Sequence, residues 1–572
     1  MPISYKADQQ AVIEFVVGRY EAWKTLRQGK ERIWQECLHN FLCWVDPAKY
    51  ENWPWRSKVC DTMSQEIADS IGAALTAQLF PIDEDYFSIK GLSSNAPAYE
   101  HVIAEEMNRR LVKATFTEAM LPIMSQCAVI GNTAFAMPWR KKSRPRRVRR
   151  GKSVQRVQEV VYDNFAFEPI DVLDLVVEPG RILQPSSMHI WRVQTNYDEL
   201  KRHKELYSNL NMLEKRGKGL PSDTSRAEKQ QRAAVFGLEY RPEEEYDTEL
   251  LVAYGDLTIE GEFFEDALVV IGNRGELLRF EENPYFGGRP CFLGTYNSLW
   301  FTEYGRGPLE PIRGQQALID TFTNQKVDIL NLLIMGAFAF VDDGIVEPED
   351  MVLEPGKGIP VGDINNIKPL TPPGNVAVAY QEIAQLRDRA DQSSGASDYL
   401  RGNFPGGRKT AYETQQIVSG ASARLNATLR HMGERTIEPA LNFGLESMQQ
   451  FTYGRNPELA DEILEERYRL NYTGAATAIL RNTKREEFQA WLTVVVQSPV
   501  LAEALNPIEI NNEWRKLSNI KNERVIKTRD EIAAEQAQKM ALAEAQKFMG
   551  QPASPGTPGT PGGPAEGATG AQ

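Results

Sequence analysis

The chain has 572 residues, 42% hydrophobic and 25% charged, with a formal net charge of −13; this is enough apolar material for more than one core, and it excludes a disordered polymer or a disulfide-stapled miniprotein. The acidic balance speaks against a protein that grips nucleic acid tightly over its whole surface, because affinity for phosphate comes from Lys and Arg, so any DNA contact is local or weak. Cys37, Cys43, Cys60, Cys127 and Cys291 form no CxxC pair, and His39, His101, His189, His203 and His431 stand far apart; this points to reduced thiols in a cytosolic setting and speaks against a metal site.

The opening MPISYKADQQ lacks the basic-then-apolar pattern of a secretory leader, and the most apolar run, 329–341 (ILNLLIMGAFAFV), is short of the roughly 20 residues that span a bilayer. Neither secretion by a signal peptide nor a membrane span is expected. Ile13, Val16, Tyr20, Trp23, Ile33 and Leu38 recur at helical spacing over residues 8 to about 45, which predicts a helix with one buried stripe. Trp23, Trp34, Trp44, Trp53 and Trp55 crowd this stretch; with few basic residues between them they read as core rather than as a base-stacking platform. Ile67, Ile71, Leu75 and Leu79 predict a second helix, and 97–127 a third with Pro97 in its first turn. Alternating, β-branched segments at 129–139, 154–168, 171–178 and 250–280 predict an antiparallel meander, with a helix near 196–215 and a polar surface loop at 216–231.

The run 140–152 (RKKSRPRRVRRGK) holds nine basic residues and no acid: Arg140, Lys141, Lys142, Arg144, Arg146, Arg147, Arg149, Arg150 and Lys152. It reads either as a patch for DNA or an anionic partner or as the solvated tip of a hairpin between a strand ending at Trp139 and one starting near Val154. So many like charges repel one another unless an anion is near.

After the punctuating GRGPLEP (305–311), a long helix is predicted over 312–333. A turn-rich, β-containing insert follows at 336–375, then a helix at 376–396, a Gly/Pro loop at 397–409 and a helical pattern over 410–453 with a kink before Pro439. The acids of the insert, Asp342, Asp343, Glu347, Glu349, Asp350 and Glu354, fail the DxDxDG calcium spacing; they read as a solvated face or a docking face for a basic partner. The loop 402–410 (GNFPGGRKT) nearly matches a phosphate cradle, but Arg408 pushes Lys409 and Thr410 one place too far, so a flexible or channel-facing loop is favoured over a nucleotide site. There is no GxSxG and no GxGxxG after a strand, so no catalytic residue is named and no enzyme or cofactor is expected. Further helices are expected beyond Tyr472, ending in a polar one at 528–549. The tail 551–572, with five Pro and six Gly, holds too little apolar surface to order itself.

The order of helix, small acidic insert, helix, Gly/Pro/basic loop and long kinked helix resembles the portal, or head-to-tail connector, proteins of short-tailed phages. Its most specific stretch is 394–451, with Thr410-Ala411-Tyr412-Glu413 matching the family's T-A-x-E helix start. The resemblance implies an α+β, mainly α-helical portal-type fold. Residues 1–307 would form the wing, 308–335 and 376–396 the stem helices, 336–375 the clip and 397–409 the tunnel loop. The kinked helix and return to the wing would span 410–471, the crown 472–527, the barrel helix 528–549 and the tail 550–572. It further implies a ring, normally of twelve copies, at one capsid vertex of the virion, assembled in the host cytoplasm. Its partners would be the large terminase motor, a tail adaptor, capsid and scaffolding or internal core proteins, and double-stranded DNA passing without sequence readout, with no membrane.

The resemblance places Arg401, Arg408 and Lys409 where they would touch phosphates in the channel, and Asp342, Asp343, Glu347, Glu349 and Asp350 at the clip docking face. Twelve copies at −13 carry about −156, so walls that mostly repel a duplex let it slide. The competing readings are a nucleic-acid-dependent NTPase built on the 402–410 loop and a monomeric adaptor that binds nucleic acid through 140–152.

Overall fold

Helix α1 (Gln9–Phe41) begins where Asp8, in extended backbone, accepts a hydrogen bond from the Ala11 N–H at 3.3 Å, satisfying a donor the helix itself cannot use. The computed structural model to which it belongs describes residues 5–46, 51–52, 55–80, 87–150, 153–180, 187–216, 230–238, 247–286, 288–335, 337–340, 367–370, 376–395, 425–454, 461–474, 488–493, 495 and 514. The chain divides into two compact units, 1–479 and 480–572. In the first, α1 serves two cores: Val12, Ile13, Val16, Tyr20 and Trp23 enter one, Trp34 and Cys37 another. Trp23 and Trp34 are thus core as expected, whereas Trp55 is exposed and Trp53 lies outside the described residues.

In α2 (Met63–Leu79) the four-residue repeat Ile67, Ile71, Leu75, Leu79 is wholly buried, each such side chain contributing about 1.5–3 kcal/mol. Strand β1 (Phe87–Gly91) follows, and Pro97 sits in a 3₁₀ turn, Ala96–Ala98. The single helix expected over 97–127 is instead two, α3 (Glu100–Lys113) and α4 (Phe116–Ile130), broken at Thr115 with φ 49°. The break turns Phe116 onto Phe80 and Phe167, ring centroids 5.0 and 4.6 Å away; aromatic packing outweighs the local cost of a left-handed threonine.

The next strands are β2 (Asn132–Ala136), β3 (Trp139–Arg150), β4 (Ser153–Phe165) and β5 (Glu168–Ile170), then β6 (Leu175–Val177) and β7 (His189–Asn196). The helix expected at 196–215 is two short ones, α5 (Tyr197–Arg202) and α6 (Leu210–Arg216). Asn196 caps the first by accepting from the Asp198 N–H. The surface loop 216–231 lies largely outside the described residues. Strands β8 (Asp247–Ile259), β9 (Glu262–Gly272) and β10 (Glu276–Glu282) complete the expected antiparallel meander, in the order β10-β9-β8-β7-β6. Its two faces read alternately in sequence because strand side chains alternate. Ile190, Leu251, Val269 and Ile271 meet α1, while Leu250, Leu268, Val270 and Leu278 meet Tyr197, Leu200, Leu210 and Leu213.

His189 is fully enclosed in this sheet, its ring stacked on Tyr254 at 5.5 Å. Burial, reinforced by nearby Arg289, pushes its pKa down to about 3, so protonating it costs more in the fold than in the open chain. Its share of stability is whole above pH 6.5 and drains as pH falls from there toward 3, at about 1.4 kcal/mol per unit. Urea titrations of the wild type and His189→Phe at pH 7 and pH 5 are expected to show a steeper loss for the wild type; parallel losses would contradict this.

Strand β11 (Cys291–Thr295) pairs with β2, which pairs with β5 on its other side. Gly131, at φ +74°, carries the chain from α4 into β2, and a Cβ there would lie 2.1 Å from the Gly307 nitrogen; the GRGPLEP punctuation is thus a point of backbone contact. Helix α7 (Arg313–Met335) leads to β12 (Ala337–Phe340), which pairs antiparallel with β13 (Ile367–Leu370) before α8 (Val376–Ser394) runs back along α7. This agrees with two helices flanking a β-containing insert; the rest of the insert lies outside the described residues.

Residues 425–432 are helical, then Gly433–Ile437 widens to a π turn, and α9 (Glu438–Thr452) continues with Pro439 in its first turn. The kink expected before Pro439 is this π turn, at the place where a residue without an N–H interrupts the helical ladder. Short α10 (Asp461–Glu465) and β14 (Tyr468–Tyr472) close the unit, β14 pairing with β1 across the length of the chain. The main core joins α2, α3, α4, β2, β11 and α9. In the second unit Phe488 stacks near Trp491 and Trp514; the helix expected at 528–549 and the tail 551–572 lie outside the described residues.

Candidate functional site

The basic run 140–152 was expected at the tip of a hairpin, and the hairpin is there, but the run occupies a strand rather than a loop. Arg140 to Arg150 belong to β3, paired residue by residue with β4. β4 supplies Val154, Val157, Val160, Val161 and Tyr162, residues that favour a pleated strand, so its pairing carries β3 along.

The base of this arm is bolted down. The Trp139 indole N–H donates to Asp163 at 2.8 Å, its ring stacks on Phe451 at 5.1 Å, and the Arg110 guanidinium lies 5.4 Å over it. Asn164 donates to the Arg110 carbonyl at 2.8 Å, and Arg140 reaches Glu168 through two nitrogens at 2.9 Å. Burial opposes the Arg140 charge, but the Glu168 carboxylate outweighs it and holds the guanidinium's pKa above its ordinary value. Arg140 is therefore engaged in structure.

The others differ. Lys141, Lys142, Arg144 and Arg147 are exposed and have no ion pair among the described residues, and the Arg146–Glu159 bridge at 2.9 Å is exposed on both sides and contributes little. The side chains of Arg149, Arg150 and Lys152 lie outside the described residues.

A second feature was not found by reading the sequence. On α7, Gln316, Asp320, Asn324 and Asp328 repeat every fourth residue and take hold of the segment before α2. The Ser64 N–H and hydroxyl donate to Gln316, the Asp61 N–H to Asp320 at 2.8 Å, the Val59 N–H to Asn324 at 2.8 Å and the Ser57 N–H to Asp328 at 2.8 Å. Arg387 of α8 donates to both oxygens of Asp61 at 2.8 and 2.6 Å. One polar stripe thus fixes both helices of the α7–α8 hairpin to the N-terminal half. The four-residue spacing was visible; its partners, some 260 residues away, were not.

The opposite character shows elsewhere on the same helices. Leu318, Leu332, Leu333, Ile334, Val378 and Tyr380 are exposed, Ile334 by 79%. Where the end of α8 (Ser393, Ser394) meets Thr428, His431 and Arg306 there is a cavity of about 550 Å³. His431 Nε2 lies 3.1 Å from the Thr295 hydroxyl, and burial followed by Arg435 lowers its pKa.

Arg401, Arg408 and Lys409, and the acids Asp342, Asp343, Glu347, Glu349, Asp350 and Glu354, lie outside the described residues, so the fold does not place them. Among the described residues no group of His, Cys, Asp and Glu is gathered to hold a metal, and no helix is long and apolar enough to cross a membrane. The five cysteines are free thiols.

Comparison with known proteins gives one family. The sequence model of the phage SU10 portal protein matches residues 103–456. A solved chain in the neck of a native GTA particle, computed with C12 symmetry, aligns over 79% of this chain and 89% of its own, at 11% identity and a TM-score of 0.34. No curated protein matches.

Proposed function

The chain belongs to the phage SU10 portal protein family, structural proteins of genome packaging, and from that premise we propose that it works as one subunit of a ring that surrounds double-stranded DNA at a capsid vertex. The observation that carries the ring is the α7–α8 hairpin: it is anchored along one side by the 57–64 segment, yet Leu332, Leu333, Ile334, Val378 and Tyr380 stay exposed among the described residues. Isolated apolar side chains are common on surfaces, but five gathered at one end of a helical pair mark an interface. A neighbouring hairpin of the same kind supplies the matching face by symmetry.

In this reading 308–335 and 376–396 are the stem, 336–375 the clip and 397–409 the tunnel loop. The twelvefold count, the terminase motor and tail adaptor at the clip, the scaffolding or core proteins, and assembly in the host cytoplasm are parts of the same proposal. The acids Asp342, Asp343, Glu347, Glu349 and Asp350 would meet a basic partner at the clip. Arg401, Arg408 and Lys409 would touch phosphates in passing, which positions a duplex without reading it. The NTPase reading is not favoured, because Arg408 displaces Lys409 from the phosphate-cradle position and, among the described residues, no uninterrupted apolar strand ends in paired acids.

Two measurements test the proposal. Purified full-length chain is expected to reach a multiple of its 64.5 kDa mass in solution and to show rings with a central hole by negative stain; a chain that stays single at all concentrations, even beside capsid-assembly factors, contradicts it. Heads built with Arg401→Ala, Arg408→Ala and Lys409→Ala together are expected to retain severalfold less DNA, because small losses of about 0.5 kcal/mol per charge contact recur in every copy of the ring. Unchanged packaging and retention would remove these three residues from the channel.

A further inference from the structure

Beyond its anchored base, the β3–β4 arm has no cover among the described residues, and its surface is poorly suited to water alone. Val157, Val160 and Val161 are exposed by 40%, 49% and 53%. Arg147 lies directly across from Arg156 in the register, on the face it shares with Pro145, Ser143, Gln158 and Val160. Like charges directly opposite one another are destabilising, and no acid stands on that face of the described arm. The other face holds Arg144 and Arg146 with Val157 and a single acid, Glu159. From Ser143 to Arg150 the arm extends about 26 Å at roughly 3.3 Å per residue.

The charges are distributed unevenly along the chain. Residues 139–165 contain ten basic and two acidic side chains, a formal +8, so the remainder of a chain at −13 carries −21. We infer that the distal arm, through residues 143–147 and 156–160, is an intersubunit clasp: it lies on an acidic surface of the next copy of this chain.

Three points favour a second copy over nucleic acid. A phosphate backbone offers charge but no apolar surface for Val160, which shares the Arg147 face, whereas a protein face offers both. Each copy brings one arm and one acidic body, so donors and acceptors match around any closed ring. The arm also places positive charge between bodies that otherwise repel one another. Pro145 has no N–H, which disfavours docking by strand addition along β3 and leaves the contact to side chains. The inference rests on the portal reading only in requiring that copies stand side by side.

The test uses the full-length chain. A photo-crosslinking phenylalanine derivative placed at Val160 is expected to join one chain to another in assembled rings, with the adduct on an acidic peptide identified by mass spectrometry. In parallel, the variant Arg144→Ser, Arg146→Ser, Arg147→Ser, Arg156→Ser is expected to need at least tenfold more protein for half-assembly by mass photometry, and raised salt is expected to shift the wild type in the same direction. Adducts found only within one chain, or only on added duplex DNA, overturn the clasp, as does assembly of the serine variant at the wild-type concentration. If the wild type itself forms no ring, it is the portal reading that has failed, which separates the two.

Discussion

Replacing Leu333 and Ile334 by aspartate is expected to leave the chain folded and to abolish ring closure. Both side chains are on α7, exposed by 46% and 79%, and neither belongs to the cores that hold the first unit together, so the fold loses little. At an interface each such side chain contributes about 1.5–3 kcal/mol. Burying a carboxylate in its place without a partner adds a penalty of several kcal/mol. Because every copy of a symmetric ring uses the same contact, the loss recurs at each junction. Size-exclusion chromatography with light scattering is expected to show rings for the wild type and single chains for the variant, with unchanged far-UV circular dichroism. Rings of normal mass from the double aspartate variant would mean that the stem face is not the interface.

Arg27→Ala is expected to be the most damaging single change inside the fold. Arg27 is 5% exposed, and its guanidinium ties together three parts of the chain that are far apart in sequence. It donates to the carbonyl oxygens of Val172 at 3.2 Å, Leu173 at 2.6 Å and Leu175, to the Tyr304 hydroxyl at 3.0 Å, and to Glu31 at 2.6 Å. Truncation leaves several of these acceptors buried without a donor, and the guanidinium's place over the Trp34 ring, 5.9 Å from its centroid, goes with it. Breaking so enclosed a charged network costs about 3–5 kcal/mol. Arg27→Lys keeps the charge but not the planar fork, and is expected to recover less than half of that. Denaturant titration of both variants decides the matter; a loss below about 1 kcal/mol for the alanine variant would show that water replaces the donors.

The expected reach of each change follows from how far its determinants lie apart. The α2 repeat, the meander between 247 and 282 and the kink at Pro439 were legible because each depends on spacing within a dozen or so residues, where periodicity alone selects the buried face. The break at Thr115 was not legible: it arises because Phe116 finds Phe80 and Phe167, and no local pattern announces that. The basic run was read correctly as part of a hairpin and wrongly as its tip, since its own residues have no strand pattern and the pairing comes from β4.

Composition and order alone therefore determined a many-cored acidic chain, a helix–insert–helix module with a kinked helix behind it, and one isolated cationic stretch. Only the folded chain decided that this stretch is an arm with an anchored root, that Gln316, Asp320, Asn324 and Asp328 fasten the helical hairpin to residues 57–64, and that β14 closes on β1. The reason is physical: spacing along a chain fixes which face of an element is apolar, but a hydrogen bond or ion pair needs a partner whose position is set only when distant segments share one core.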